Sequence, residues 1–259
     1  MGTAYEPTNI RRLAKANADA AMTKALSDIA ISDVQRRAAQ RLLRQEERKQ
    51  RNIESITGKA LAELPDDSRP EKIEEDWLAY FFQHCEDISD DEVQGLWSRL
   101  LAQEATRPGR FSRRTINFLA TLDKRDANLF SQFSQFVIFF DQPIALVFDY
   151  KSPLYVNKGL DFEPLTHLDS IGLVKFEAAT GPFSMTWTGP TEAASYGSQK
   201  LVFEFPMESG FSMAVGKVML TQTGRELMSL CSVEFNEDFL LMVLGKFLDA
   251  NVSVYSVLE

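Results

Sequence analysis

A dense series of helix start and stop signals between residues 68 and 110 constrains the fold more than any other feature of the chain. Ser68 to Glu71 and Ser89 to Glu92 both have capping-box spacing, in which a serine and a glutamate three positions later satisfy free backbone N–H groups. Pro108 and Gly109 then form a stop signal, because proline cannot continue a helix and glycine readily ends one. The pattern predicts two capped helices in this stretch.

The apolar residues that follow each capping box recur on one side of a helix. In the first helix they are Trp77, Leu78, Phe81, Phe82 and Cys85, and in the second they are Val93, Leu96, Trp97, Leu100 and Leu101. Ser112 and Asp123 offer caps for two further helices, and the later one carries Phe130, Phe133 and Phe136 at intervals of three. We expect these faces to form a helical core rather than a ligand-stacking surface.

The N-terminal region predicts long helices. Residues 9–64 contain no proline and only one glycine, Gly58, and they are rich in strong helix formers. An N-cap signal at Ser32 and Asp33 favours two helices over one rod. Apolar residues recur every three or four positions from Met22 to Ala60, so they form a narrow stripe that needs a partner surface.

Five arginines mark one face of this region. Successive spacings of four, three, four and three residues place them on one side of a helix. We name them the arginine face: Arg37, Arg41, Arg44, Arg48 and Arg51. Such a face can bind nucleic-acid phosphates, or it can pair with carboxylates of this chain or of another subunit. No aromatic residue interleaves the arginines, so stacking on single-stranded bases is not indicated.

The charge of the chain is split unevenly. Residues 1–60 contain twelve basic and seven acidic side chains, and residues 61–259 contain sixteen and thirty, so formal charges of +5 and −14 make up the total of −9. Such a split is typical of an arm that contacts an acidic partner or another subunit. Only Cys85 and Cys231 are present, which indicates a reducing compartment, and we expect a cytoplasmic protein without integral membrane association.

The C-terminal region predicts a mixture of strands and helices. The runs FVIFF, IALVFDY, GLVKFE, KLVFEF and KVMLT favour short strands, and a capping box at Thr223 to Glu226 favours a helix. The order of helix, strand, hairpin, strand and helix is similar to that of a winged-helix module. The candidate recognition helix, residues 162–170, has no lysine or arginine, so it is a poor match to duplex DNA. The last helix, residues 237–250, is apolar nearly all round, and we expect it to be buried on several sides, either in the domain core or at an oligomer interface. The closing segment NVSVYSV alternates as a strand does and favours an edge strand.

These patterns together predict an α+β protein that is mainly α. We divide it into a basic long-helix region (1–66), a central helical domain (67–135) and a C-terminal winged-helix-like α+β domain (136–259). The sequence contains no P-loop, no dinucleotide-binding glycine motif, no nucleophile elbow and no metal-binding HExxH or paired CxxC motif. It therefore indicates no catalytic residue, no metal site and no cofactor, and it favours a protein that is not an enzyme.

Several segments resemble a known bacterial family. They are RRLAKANADA, RQEERKQRNIESITGKAL, the long stretch from DWLAYFFQHC to FLATLDKRDANLF, THLDSIGLV and LTQTGREL. On these segments the chain is similar to the family catalogued as domain of unknown function 2806. The resemblance implies no reaction, cofactor or catalytic residue. In layout the family is distantly similar to abortive-infection proteins of the alpha type, which implies a role in bacterial defence against phage.

Three functions follow as hypotheses. The first is a non-enzymatic cytoplasmic interaction protein that forms a homo-oligomer or binds a protein partner through its N-terminal helices, as a component of anti-phage defence. The second is a nucleic-acid-associated protein that binds phosphates through the arginine face. The third is a hydrolase or nuclease with dispersed carboxylates.

Overall fold

A computed structural model describes residues 19–20, 33–206 and 210–256. The chain divides into two compact units, residues 1–50 and residues 51–259. The boundary falls inside a single helix, α1, which runs from Asp33 to Ala62. The predicted helix break at Ser32 and the apolar residues 22–30 lie outside the described residues.

The structure is mainly helical, as predicted. The helices are α1 (Asp33–Ala62), α2 (Glu75–Cys85), α3 (Asp91–Thr106), α4 (Arg113–Thr121), α5 (Lys124–Ser134), α6 (Pro153–Val156), α7 (Phe162–Ser170), α8 (Gln222–Met228) and α9 (Glu237–Asp249). A 3₁₀ turn, Pro70–Lys72, precedes α2. The strands are β1 (Val137–Phe139), β2 (Pro143–Ala145), β3 (Val174–Phe176), β4 (Phe183–Trp187), β5 (Thr191–Tyr196), β6 (Gln199–Glu204), β7 (Phe211–Gly216), β8 (Val218–Leu220) and β9 (Ser253–Ser256). The α+β, mainly α fold class is confirmed.

The apolar faces of α2 and α3 meet in the core of the second unit. Phe81 is fully buried, and its ring centroid lies 5.2 Å from that of Trp97 and 5.5 Å from that of Trp77. The neighbouring indole also fixes the segment before α4, because Trp77 Nε1 donates a hydrogen bond to the carbonyl oxygen of Phe111 at 2.9 Å. The core predicted from the helical spacing is therefore confirmed.

The three phenylalanines of the α5 region are also core residues. Phe130, Phe133 and Phe136 are all buried. The ring of Phe136 lies 4.8 Å from Tyr155 and 5.4 Å from Phe239, centroid to centroid. These contacts join the helical part of the second unit to its α+β part in one continuous core.

The strands of the described residues form three antiparallel sheets. The largest has the strand order β2-β1-β5-β6-β9, and the two others are the pairs β3–β8 and β4–β7. A tight hairpin joins β5 to β6, with Tyr196 paired to Gln199 and Gly197 in the left-handed conformation at φ +56°. The predicted closing strand, β9, lies at the edge of the large sheet and pairs with β6. Six described strands, β3 to β8, lie between α7 and α8, and the first of them pairs with the last. The winged-helix-like arrangement stays a prediction.

The predicted cap at Ser68 is wrong. The helix begins six residues later than this cap requires, with Glu74 at the N-cap position and no side-chain cap. The hydroxyl of Ser68 instead donates to the carbonyl oxygen of Pro65 in the preceding turn. A local turn has therefore taken the group that the capping box needed.

Two further caps differ from the prediction by one or two residues. Asp90, rather than Ser89, caps α3, and its carboxylate accepts hydrogen bonds from the backbone N–H groups of Glu92 and Val93. Thr221, rather than Thr223, caps α8. Asp123 caps α5 as predicted. At each corrected site a neighbouring residue also had a capping side chain, so the sequence offered two start positions.

Within a single chain the last helix is not buried on several sides, so the domain-core alternative is wrong and the oligomer-interface alternative stays a prediction. Phe239, Val243 and Phe247 are buried at intervals of four, whereas Leu241 and Leu248 are 61% and 70% exposed. Only one stripe of α9 faces the core, since residues four apart share a helical face. The composition of α9 was therefore a poor guide to how much of its surface is covered.

Candidate functional site

The arginine face is exposed along its whole length. Arg37, Arg41, Arg44 and Arg48 lie in the part of α1 that belongs to the first unit, and Arg51 is the first residue of the second unit. All five residues are exposed. The predicted placement on one helix is confirmed, and the binding role of the face stays a prediction.

The exposed half of α1, residues 34–50, is strongly cationic. It contains six basic residues and two acidic ones, a formal charge of +4. Lys49 Nζ lies 3.9 Å from Glu46 Oε1, at the outer limit of an ion pair. The charge of this segment is therefore compensated only in part by carboxylates within it.

The same segment also presents apolar side chains to solvent. Every residue from 34 to 48 is exposed, including Val34, Leu42 and Leu43 at 64%, 58% and 63%. Leu42 lies on the same side of α1 as Ile56 and Ala60, which are buried farther along the helix. Residues 14 and 18 positions apart are separated by close to a whole number of helical turns, so their side chains point in nearly the same direction. The stripe that the sequence predicts thus continues along α1 beyond its covered part.

A polar network holds the second-unit part of α1. Asn52 is buried, and its Nδ2 donates to the carbonyl oxygen of Glu86 at 2.8 Å. Gln94 Oε1 accepts from Ser55 Oγ at 2.8 Å and from Lys59 Nζ at 3.0 Å. Because both amides are buried and hydrogen-bonded, this part of α1 has one defined orientation on α2 and α3.

The cysteines do not form a reactive site. Burial raises the pKa of the Cys85 thiol to about 12 and that of the Cys231 thiol to about 11, so both are protonated near neutral pH. Nδ1 of His84 lies 2.8 Å from the carbonyl oxygen of Tyr80, and Nε2 of His167 lies 2.6 Å from Asp126 Oδ1. Over the described residues, no three His, Cys, Asp or Glu side chains come together as a metal site would need.

Arg113 and Arg114, whose exposure the sequence leaves open, are both exposed. The guanidinium of Arg113 lies 3.7 Å from Glu74 Oε1 and 3.6 Å from Asp76 Oδ2. It also lies 5.7 Å from the centre of the Tyr80 ring. Arg113 thus already interacts with two carboxylates and a ring at α2, which gives no indication of a ligand-binding role.

The comparison with known families supplies one decisive match. The sequence profile of the family described as protein of unknown function (DUF2806) matches residues 36–244. The chain belongs to the DUF2806 family. The matched DUF2806 region includes the whole arginine face and ends within α9. No curated protein and no solved structure matches the chain.

The DUF2806 match assigns no activity, and the layout likeness to abortive-infection proteins stays a hypothesis. Where residues of this DUF2806 protein are described, no helix has both the length and the hydropathy that crossing a bilayer requires. The sequence pattern alone did not predict the polar network of α1. Its signal was a polar residue, Asn52, four positions before Ile56 on an otherwise apolar stripe.

Proposed function

We propose that this DUF2806 protein is a non-enzymatic interaction protein that associates with a second copy of itself through residues 34–50 of α1. The observation that carries the proposal is that residues 34–48 are helical and yet exposed on every side, with Leu42 and Leu43 among them. Most of the stability of a helix in a protein comes from packing one of its faces against another surface. The exposed half of α1 needs such a surface.

Charge supports a second copy as the partner. The exposed half of α1 carries +4, whereas residues 61–259 carry a formal charge of −14. Arginine pairs well with carboxylates, and complementary charges speed association and select the partner. Each copy thus has a cationic helix and an excess of carboxylates that can face it.

The proposal predicts that Leu42→Glu combined with Leu43→Glu breaks the assembly. Two buried leucines stabilise an interface by about 3 kcal/mol or more, so the dissociation constant should rise at least about a hundredfold. Sedimentation velocity across micromolar concentrations measures the change. Leu61→Glu is the matched control, because Leu61 is an equally exposed leucine of α1 outside the proposed contact. A strictly monomeric wild-type chain, or equal effects of the two substitutions, would contradict the proposal.

The biological setting that we propose is defence against phage, which rests on the family's layout alone. Cells that express the chain should then give fewer phage plaques than cells without it. The doubly substituted Leu42 and Leu43 variant should lose this protection, and the Leu61 control should keep it. Equal plaque counts with and without the wild-type chain, across phages of different types, would remove defence from the proposal and leave oligomerisation to be judged by its own measurement.

A second candidate function is binding to nucleic-acid phosphates, which the spacing and exposure of the arginines favour. A phosphate-binding helix releases counterions, so its affinity falls steeply with salt. Replacing Arg37, Arg41 and Arg44 by glutamine should lower the slope of log K against log salt by up to about three for duplex DNA.

Fluorescence anisotropy with duplex and single-stranded probes tests this second function. The matched control replaces three exposed arginines of the second unit, Arg107, Arg114 and Arg125, by glutamine. Equal salt slopes for the two triple variants would show that the nucleic acid does not contact the arginine face. An absence of binding at 20 mM salt, on the order of the lowest useful ionic strength, would rule the function out.

A further inference from the structure

A cavity of about 270 Å³ lies between α3, α5 and the segment that follows α8 in the second unit. Six of the side chains that line it are apolar: Val93, Leu96, Leu122, Ala127, Phe130 and Leu227. Small-molecule sites have this composition, a mostly apolar wall with a few polar groups that fix the orientation of the ligand. The polar groups of this wall decide what it can bind.

Arg99 is the unusual member of the wall. Its Nε is buried and has no hydrogen-bond partner among the described residues. An unpaired buried donor costs free energy, so buried polar groups in native proteins nearly always have a partner. Arg99 sits in the middle of α3 and is only partly buried, so part of its side chain lies within reach of a ligand in the cavity.

The other cation of the cavity differs from Arg99. Lys124 Nζ lies 3.2 Å from Glu92 Oε2 and 3.5 Å from Asp90 Oδ2, so two carboxylates already compensate its charge. Glu92 also lines the cavity. Among the described residues Arg99 has no such carboxylate partner, and the rim of the site carries one carboxylate, Glu92. This combination favours a ligand with a single negative charge over a dianion.

We propose that this cavity binds a small monocarboxylic acid, with the carboxylate on Arg99 and an aliphatic or aromatic body against the apolar wall. The planar guanidinium matches a carboxylate with paired N–H···O contacts. The carboxylate would compensate the charge of the guanidinium, and the apolar body would remove the cavity surface from water. This inference is independent of the role of α1.

Binding of hexanoate tests the site, with hexanamide as the probe that has the same body and no charge. Isothermal titration calorimetry should show that the full chain binds hexanoate at least about tenfold more tightly than hexanamide or inorganic phosphate. Arg99→Met should weaken hexanoate binding by roughly tenfold to a hundredfold. Arg114→Met is the matched control, since Arg114 is exposed and does not line the cavity, and it should leave binding unchanged.

Stability separates a ligand-binding arginine from a structural one. If Arg99 serves a ligand, Arg99→Met removes an unpaired donor and the ligand-free variant should melt at or above the wild-type temperature. Cys231, which lines the cavity, provides a second test in the wild-type chain at alkaline pH, where a fraction of its thiol is ionised and can be alkylated. Hexanoate should slow this alkylation, and hexanamide should not. Cys85 is fully buried and serves as the internal control.

The proposal is overturned if hexanoate neither binds nor protects Cys231 at millimolar concentration. It is also overturned if hexanamide or phosphate binds as well as hexanoate, or if Arg99→Met leaves hexanoate affinity unchanged. Should Arg99→Met fail to fold, the wild-type comparison of the three probes and the protection of Cys231 decide the matter without the variant.

Discussion

Replacing Glu104 by leucine is expected to lower the free energy of unfolding by about 2–4 kcal/mol, because the change leaves two backbone donors without an acceptor. Glu104 is 2% exposed, and its carboxylate accepts hydrogen bonds from the N–H of Gly109 at 2.5 Å and from the N–H of Phe111 at 3.0 Å. These bonds hold the loop between α3 and α4 in place. Urea denaturation followed by circular dichroism measures the loss.

Two further substitutions make the Glu104 prediction specific. Glu104→Gln keeps one acceptor oxygen and should lose less stability than the leucine variant. Glu63→Leu, at an exposed glutamate, should change the free energy of unfolding by no more than about 0.5 kcal/mol. Hydrogen exchange at the Phe111 amide should accelerate only in the Glu104 variants. A leucine variant as stable as the wild type would show that the loop does not depend on this carboxylate.

Phe81→Ala is expected to cost about 3–5 kcal/mol, the range found when a large aromatic side chain is removed from a packed core. Phe81 is fully buried and packs edge-on against Trp97 and stacks with Trp77. The cavity left between two rigid indoles cannot collapse easily, which places the loss toward the upper end of the range. Thermal and urea unfolding give the value.

The control for Phe81 is Phe235→Ala. Phe235 contacts the ring of Tyr196 and is 47% exposed, so its removal should cost about 1 kcal/mol or less. The slope of the free energy against urea should stay equal in both variants, because neither changes the surface exposed on unfolding by much. Similar losses for the two variants would mean that the α2–α3 contact contributes little to the core.

The helical core could be predicted from the sequence because its signals are local. A stripe of apolar residues such as Trp97 and Leu100 fixes which face of a helix is buried, whatever the partner. Helix starts were less predictable, since Ser89 and Asp90 both offer a cap and only contacts distant in sequence select one. Here the Ser89 hydroxyl accepts a hydrogen bond from Asn52, 37 positions away, and Asp90 caps the helix.

Most of the predicted strands were recognised from continuous apolar runs, and β9 from its alternation of apolar and polar residues. The predicted runs overlap β1, β2, β3, β6 and β8, whereas β4, β5 and β7 carry serine, threonine and alanine and gave little signal. The sequence also could not predict which strands pair. For example, β1 pairs with β5 through a single residue pair, Phe139 and Ser195. Strand order depends on such long-range contacts rather than on composition.

The cavity at Arg99 had no counterpart in the sequence pattern. Arg99 and Cys231 are more than 130 positions apart, and in the sequence Arg99 resembles the exposed Arg107 eight residues later. What distinguishes Arg99 is that its buried Nε has no hydrogen-bond partner in the described part of the chain, and only the folded arrangement shows this. The arginine face, by contrast, could be predicted from the sequence because its five members lie on one helix.

The position of β9 has a consequence for the synthesis of the chain. One edge of β6 pairs with β5, its neighbour in sequence, but the other edge pairs with β9, about 50 residues later. At typical rates of translation, the residues between β6 and β9 take roughly 2–10 seconds to synthesise, and this edge of β6 stays unpaired for that time. Phe203, which is buried in the complete sheet, lies on β6. For those seconds the nascent chain carries an unpaired strand edge open to neighbouring chains, and this is when a ribosome-bound chaperone would protect it most.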